Sequence, residues 1–483
     1  MDIWKLITLQ KVPLVKWHQS SYLGYVATPL QHWQSASLLL SQGHWFGLAL
    51  IALVFIAAPF VSTTLIGFLL LGSMALWALL MVSDGRRTPL SPIHLAVMSY
   101  WGIATVATAF SPVRDAAIDG WIKLTLYLVL FALMAKVMRR RLGKLSEDSK
   151  ESLGSPNHPG SVLRSWIIGV YLHVALLVSA VGLRQWFFGA DALATWVDVD
   201  SSLAGTTRVY SYLGNPNLLA GYLIPAVFLS LAAIFVWKHW VAKALAVTMV
   251  VVNTACLILT FSRGGWLGFV AGGFIFVILL VHWVSIRLPK FWRLWTLPIV
   301  VGGTFGGLVL AVVSLPALQE RFLSIFAGHE DNSNSFRIYV WRAVIEMIQA
   351  RPVLGIGPGN DAFNLVYPFY QEPGYTALSA YSIFLEVLVE TGIIGFICFL
   401  WLVLVTVIQG WLSIQRLRQA WDRNGFWLIA AIATIVGMVV HGAVDTVWYR
   451  PQVSTLWWLM VAIVASYCIP HVSPTSALDT QES

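Results

Sequence analysis

Long apolar runs separated by short polar segments dominate the chain between residues 44 and 469. A helix needs about 20 apolar residues to cross a bilayer. In windows of about 19 residues, the pattern predicts helices at residues 44–60, 63–82, 92–110, 121–138, 163–184, 216–236, 241–261, 264–285, 295–316, 382–410, 425–446 and 452–469. We therefore predict an all-α, polytopic integral membrane protein with about 12 transmembrane helices.

The longest polar interruption lies between the ninth and tenth predicted helices, at residues 317–381. Ordering so long a segment costs conformational entropy, and its content of Trp, Gly and Pro is typical of a structured element rather than a linker. It contains the run GIGPGN and four arginines: Arg321, Arg337, Arg342 and Arg351. We expect any chemistry to lie there, and an anion is the first ligand to consider.

Basic residues between the predicted helices fall on one side of the membrane. By the positive-inside rule that side is cytoplasmic. The basic residues concerned are Arg86, Arg87, Arg139, Arg140, Arg141, Lys144, Lys238, Lys243, Arg287, Lys290, Arg293, Arg416, Arg418 and Arg423. Both termini are then cytoplasmic. The predicted division is a cytoplasmic N-terminal segment at 1–43, helices 1–9 at 44–316, an extracytoplasmic (periplasmic) loop at 317–381, helices 10–12 at 382–469 and a cytoplasmic tail at 470–483.

Composition excludes several other classes of protein. The chain is 58% hydrophobic and 11% charged, and its net charge of +8 is explained by topology and anionic lipid headgroups rather than by nucleic acid. The first 43 residues show no pattern of a cleavable signal peptide. Phosphate-binding Gly-Lys-Ser loops and clustered histidines are absent from the sequence, and its cysteines lack paired spacing. We expect no metal and no cofactor.

The motif TFSRGG places Arg263 at the outer junction of two predicted helices. The two glycines that follow allow close approach of a ligand or a second backbone. A helix N-terminus beside a guanidinium group suits phosphate or another anion. The alternative is an interfacial arginine that extends to lipid headgroups.

The segment from Ser335 to Phe363 predicts a short amphipathic helix on the outer membrane surface, ended by Pro352. One face carries Arg337 and Trp341, and a neighbouring face carries Arg342. Trp and Arg are also ordinary headgroup anchors, so a helix without a ligand is the alternative. The glycines around Gly357 predict a turn first and an anion cradle second, because no nucleotide-binding strand and helix flank them.

Two further motifs contain polar groups at helix ends. Asn215 and Asn217 flank Pro216 at the start of the sixth predicted helix, where helix capping alone would explain them, although their amides could also orient a sugar or carboxylate. His441 and Asp445 lie one turn apart near the outer end of the eleventh helix. Ionisable groups at membrane depth commonly mark a site or pathway; the alternative is a polar pair that locks the helix.

In this order, the motifs resemble the O-antigen ligase and polymerase superfamily across roughly residues 60–465. The resemblance is strongest to its cyanobacterial branch of inorganic-carbon (bicarbonate) transporters. The motifs are Asn215 to Asn217, Ser262 to Gly264, Arg337 with Trp341, Pro352 with the following glycines, LEVLVETGIIG from Leu385 to Gly395, and His441 with Asp445.

The resemblance implies a periplasmic face of the bacterial plasma membrane where Arg263 and Arg337 would bind polyprenyl pyrophosphate without a metal, with Arg342 as a third anion-binding residue. Asn215, Asn217, Trp341, Gly357 and Asp445 would support the site. Ligases carry a His just before the LxxLxETG-like helix as general base, and here Tyr381 replaces it. With an unperturbed pKa near 10, tyrosine is a poor base at pH 7. Glu372, Glu386 and His441 are the alternative bases.

Three functional hypotheses follow from these residues. The first is an anion-binding membrane protein that transports or accumulates inorganic carbon, favoured because the arginines are present and the expected base is missing. The second is a metal-independent glycan ligase or polymerase of polysaccharide biosynthesis, which uses polyprenyl pyrophosphate. The third is a non-catalytic scaffold for envelope assembly. Expected partners are membrane lipids and either bicarbonate or a polyprenyl-pyrophosphate-linked glycan, with no nucleic acid.

Overall fold

The computed structural model describes residues 3–10, 37–83, 90–139, 159–190, 208–314, 319 and 332–468. Within these ranges the chain is helical and contains no strand. The helices are α1 Ile3–Ile7, α2 Leu38–Ser41, α3 Gly43–Ala57, α4 Thr63–Ser83, α5 Pro92–Ala109, α6 Arg114–Met138, α7 Pro159–Phe188, α8 Pro216–Val236, α9 Trp240–Leu259, α10 Arg263–Val284, α11 Lys290–Ser314, α12 Asn332–Ala350, α13 Asn360–Val366, α14 Ile383–Gln419, α15 Gly425–Val444 and α16 Pro451–Ser466.

The all-α, polytopic membrane architecture predicted from the apolar runs is confirmed. Each predicted span overlaps one of α3–α11 or α14–α16. Within the described residues, 8 of these helices are long and apolar enough to cross a membrane: α4, α6, α7, α8, α9, α10, α14 and α15. Twelve spans therefore stays a prediction. The periodicity misplaced some ends, since α6 begins at Arg114 rather than residue 121 and α14 continues to Gln419.

Parts of several predictions lie outside the described residues. These are Arg86 and Arg87, the basic run from Arg140 to Lys144, residues 317, 318 and 320–331 of the predicted loop together with Arg321, and the tail from residue 470.

The centre of the bundle is formed by α8, α15 and α16, whose side chains are largely buried. The neighbouring helix α10 approaches α15 at Gly268 and Gly437. A Cβ on Gly268 would lie 2.5 Å from the carbonyl oxygen of Gly437, and one on Gly437 would lie 2.7 Å from that of Gly268. Only residues without side chains permit such close backbone contact. This contact sets the distance between the start of α10 and the end of α15.

The described part of the predicted loop, residues 332–381, forms a packed unit, which we call the loop unit. It lies at one end of the bundle, which we call the loop end. As the sequence predicts, a helix covers this segment and stops before Pro352. It does not simply lie on a membrane surface, because Val340, Val344 and Met347 are buried against α13 and the start of α14. The element is thus structured around its own small hydrophobic core.

Helix α14 is broken at Gly392, where φ is 65° and ψ is −172°. The chain after α12 lies across the break: Ile356 N–H donates to Val389 O (2.9 Å), Gly357 N–H to Glu390 O (2.9 Å) and Ile393 N–H to the carbonyl oxygen of Pro352 (2.9 Å). Backbone groups released by the break are therefore satisfied by the loop unit. The sequence pattern predicted an uninterrupted helix here.

Candidate functional site

Residues distant in sequence bring two arginines and a carboxylate together at the loop end. Arg263 is the first residue of α10, whose N-cap Ser262 accepts a hydrogen bond from the backbone N–H of Gly265. Arg337 lies on α12, and its Nη2 is 3.6 Å from Oδ2 of Asp445, directly after α15. The side chains of Arg337 and Asp445 are only 17% and 7% exposed, so this ion pair is shielded from bulk water.

A third arginine, Arg208, completes the cluster and was not identified by the sequence analysis. Its Nε donates to Thr260 O (3.1 Å) and its Nη2 donates to Oδ1 of Asn217 (3.3 Å). The pKa of Arg208 is lowered to about 10, chiefly by burial and also by nearby Arg263, while Asp445 opposes the shift. Arg208 therefore stays protonated at neutral pH, and its electrostatic neighbours place it in the same cluster.

We call Arg208, Arg263, Arg337 and Asp445 the arginine cluster. Helix N-termini reinforce its positive potential, because α8 and α10 both begin beside these residues. Orphan N–H groups and the helix dipole favour anions at such positions. Guanidinium groups bind phosphate oxygens in a bidentate manner. The arrangement thus suits a polyanion that is larger than one carboxylate.

His441 lies behind the arginine cluster and is 1% exposed. Its ring is accommodated by glycines: a Cβ on Gly264 would lie 2.9 Å from His441 Cδ2, and one on Gly221 would lie 3.3 Å from Cε1. Its Nε2 is buried and makes no hydrogen bond within the described residues. The imidazole therefore has an unused polar atom, but water and an acceptor have little access to it.

Tyr381, which stands where the resemblance places a His, lies beside the cluster. Its φ of 49° is unusual for a residue with a side chain. Its pKa is raised to about 12, chiefly by burial and also by Asp445 and Tyr449, while Arg337 opposes the shift. The phenol is therefore protonated at neutral pH and can donate a hydrogen bond, but it cannot act as an effective base.

Replacing Tyr381 with phenylalanine should consequently lower any transfer activity by no more than about tenfold, the scale of one lost neutral hydrogen bond. The activity of Tyr381→Phe and of the wild type should be measured between pH 6 and pH 9. We expect parallel profiles, because a group with a pKa of about 12 does not titrate in this window. A loss of more than a hundredfold, with a changed profile, would show that the phenol is the base.

The two acids at the start of α14 fasten the loop unit to the bundle. Oε2 of Glu386 accepts the backbone N–H of Ala380 (2.7 Å), and Oε1 of Glu390 accepts that of Gly359 (2.7 Å). Glu386 thus fixes the residue that precedes Tyr381, which identifies it as a positioning group. Glu372, the other acid considered as a base, is exposed in a turn.

The remaining predicted residues divide between structural positions and the cluster. Oδ1 of Asn215 caps α8 by accepting from the N–H groups of Asn217 and Leu218 (2.8 and 3.2 Å), whereas Asn217 holds Arg208. Gly357, with φ of 99°, packs against Ala117, and its backbone N–H already donates to the carbonyl oxygen of Glu390.

On α12, Trp341 follows Arg337 by one turn, and its Nε1 is buried without a hydrogen bond in the described part of the chain. Arg342, predicted as an anion-binding residue, is exposed, with its guanidinium carbon 5.6 Å from the centroid of the Tyr339 ring. The described residues contain no group of three or more His, Cys, Asp or Glu side chains that could hold a metal ion.

Fold and site together define a polytopic membrane protein with a cluster of arginines where the loop unit meets the bundle. Residues 244–400 match the O-antigen ligase family. The chain is also 23% identical over 206 residues to a protein described as "Putative polysaccharide ligase" from Rickettsia felis, and 24% identical over 208 residues to one so described from Rickettsia prowazekii. Each match covers 41% of this chain, and 46% or 47% of the relative, so the chain spans about half of their length.

These similarities agree with the predicted O-antigen-ligase-like character of the chain. They give no support to the branch of inorganic-carbon transporters, to a cyanobacterial origin or to a role in bicarbonate transport. The matched segment includes Arg263, Arg337 and Tyr381, and ends before Asp445.

Proposed function

We propose that this protein transfers a saccharide from polyprenyl pyrophosphate to an acceptor at the loop end of the bundle, which faces the periplasm from the bacterial plasma membrane. The observation that carries the proposal is the convergence of Arg208, Arg263 and Arg337, from three separate elements, beside two helix N-termini. A pyrophosphate group has the charge and the number of oxygens to engage several guanidinium groups at once.

In the proposed reaction, the acceptor oxygen bonds to the anomeric carbon as the bond from that carbon to the pyrophosphate oxygen breaks. The electron pair of the broken bond passes to pyrophosphate, and the guanidinium groups stabilise the developing charge. The acceptor's proton passes to Asp445, the carboxylate of the cluster. Carboxylates serve as bases in other glycosyl-transfer reactions with oxocarbenium-like transition states, so neither His441 nor Tyr381 is needed for this step.

A second function is favoured by one specific observation, the tyrosine at position 381. Its phenol stays protonated at neutral pH, so a cluster that binds anions without performing transfer would retain the arginines and could dispense with a base. In that case the protein would move a small anion such as bicarbonate across the membrane. The comparisons favour the ligase, which is therefore the first proposal.

The two functions separate in one experiment on the purified protein in liposomes with the loop end accessible. Transfer of labelled glycan from undecaprenyl pyrophosphate to envelope glycolipids and uptake of labelled bicarbonate are measured in parallel. We expect transfer that Arg263→Ala abolishes, because α10 then presents no guanidinium to the pyrophosphate.

The matched control is Arg287→Ala, just beyond the other end of α10, where the guanidinium lies 3.7 Å from the centroid of the Trp421 ring. At about 1.5 Å per helical residue, it is too distant to affect the cluster, and transfer should persist. Uptake that depends on Arg263, without transfer, would instead establish the anion transporter. Transfer that is unaffected by Arg263→Ala would overturn the assignment of the cluster.

A further inference from the structure

Four aromatic rings extend from the arginine cluster across the loop unit. Tyr381 and Phe336 meet edge to face with centroids 5.4 Å apart, Phe336 lies 6.1 Å from Tyr375, and Tyr375 stacks on Tyr339 at 4.2 Å with an interplanar angle of 29°. We call these residues the aromatic row. Each of these residues is partly exposed, so the row leaves part of its aromatic surface accessible to a ligand.

The aromatic row is held in place from both sides. Phe336 and Tyr339 lie on α12, on either side of Arg337 in sequence, so the same helix carries part of the row and one arginine of the cluster. Beneath the row, the hydroxyl of buried Tyr367 donates to the backbone oxygen of Tyr375 (2.7 Å). Preorganised aromatic surfaces lose little conformational entropy when they bind a ligand.

The chemistry of the row suits sugar rings better than an ion or a lipid tail. Each pyranose ring has an apolar face of C–H groups and an equatorial rim of hydroxyls, which matches aromatic faces with phenolic groups at their edges. Arg208, Arg263 and Arg337 are gathered in the cluster, and the charged group near the row is the exposed guanidinium of Arg342, 5.6 Å from the centroid of the Tyr339 ring. An acyl tail would prefer a continuous apolar groove without hydroxyls.

We propose that the aromatic row is the acceptor subsite and binds the sugar rings of the acceptor glycan. This inference rests on the proposed function. The attacking oxygen must approach the anomeric carbon opposite the departing pyrophosphate, which occupies the cluster, and the donor's polyprenyl tail must lead into the bilayer. The row starts at Tyr381 beside the cluster and ends at Tyr339 on the loop unit, so it offers the acceptor an approach from water.

The test replaces Tyr339 and Tyr375 separately with alanine and measures steady-state transfer with each substrate varied. Loss of one stacking surface should raise the KM for the acceptor about tenfold, while kcat and the KM for the donor change less than about twofold. Tyr339→Phe and Tyr375→Phe should keep most of the affinity, because the ring remains. The matched control is Phe369→Ala, an aromatic ring on the same unit that is 85% exposed and outside the row.

An unchanged KM for the acceptor in both alanine variants would overturn the proposal, as would an increase confined to the KM for the donor, which would assign the row to the donor glycan. Failure of the proposed function is distinguishable, since the wild type would then show no transfer. In that event, binding of a panel of neutral oligosaccharides is measured by saturation-transfer NMR. Binding that Tyr339→Ala weakens would support a saccharide site, and absence of binding to the wild type would overturn it.

Discussion

Replacing Arg337 with alanine should reduce glycan transfer by about two to three orders of magnitude, the usual cost of removing one preorganised group that stabilises a developing oxyanion. Its side chain is 17% exposed and lies beside Asp445, so solvent cannot readily replace its charge. The loss should appear mainly in kcat, because charge on the pyrophosphate oxygen grows as the bond breaks. Arg337→Lys should recover only part of the activity, since lysine cannot bind two oxygens in a planar fork.

The control is Arg342→Ala, on the same helix. That guanidinium is exposed near the ring of Tyr339, so its loss should change kcat by no more than a few-fold. The variants are compared in transfer assays and in binding of inorganic pyrophosphate. If Arg342→Ala proves as damaging as Arg337→Ala, the anion site extends along the exposed face of α12, as the sequence alone predicts.

The second large effect concerns the helix contact beneath the cluster. Gly268→Leu would insert a side chain where a single Cβ already lies 2.5 Å from Gly437 O and 3.0 Å from His441 Cβ. Such overpacking costs about 1–3 kcal/mol or more. We expect a lower melting temperature in detergent and loss of transfer, because separating α10 from α15 also separates Arg263 from Asp445.

Helix α10 supplies its own control for this change. A Cβ on Gly273 would meet nothing within 4 Å, so Gly273→Leu adds the same side chain to the same helix at a position facing open space. Its melting temperature and activity should match those of the wild type. Equal damage from both substitutions would mean that helix flexibility, rather than close packing against α15, explains the glycines.

The apolar pattern predicted the positions of the long helices well, since bilayer thickness dictates the length of each run. It could not reveal the break at Gly392, because the hydrogen bonds that stabilise the break come from residues 352–357, far away in sequence. The positioning role of Glu386 and Glu390 could not be predicted for the same reason, since their hydrogen-bond partners also lie elsewhere in the sequence. Glu386 reads as an acid available for chemistry, but one oxygen of its carboxylate accepts the backbone N–H of Ala380, and one oxygen of Glu390 likewise accepts that of Gly359.

The sequence analysis grouped Arg263 with Arg337 and His441 with Asp445, whereas the structure places Asp445 beside Arg337. Arg208 was missed, since it precedes the Asn-Pro-Asn motif by seven residues and belongs to no recognised pattern. A signal existed in the motif itself. Asn215 is sufficient to cap the helix, so the side-chain amide of Asn217 has no role in capping. A polar side chain of this kind at a helix start indicates a hydrogen-bond partner elsewhere in the chain.

Three residues with side chains adopt left-handed backbone conformations at the loop end: Ser211, Phe261 and Tyr381, with φ of 51°, 50° and 49°. Ser211 and Phe261 lie a few residues from Arg208 and Arg263, which belong to the cluster, and Tyr381 lies beside it. Glycine would adopt these conformations with less strain. The chain therefore holds Ser211, Phe261 and Tyr381 in strained backbone conformations, so the fold is less stable than its packing alone would allow.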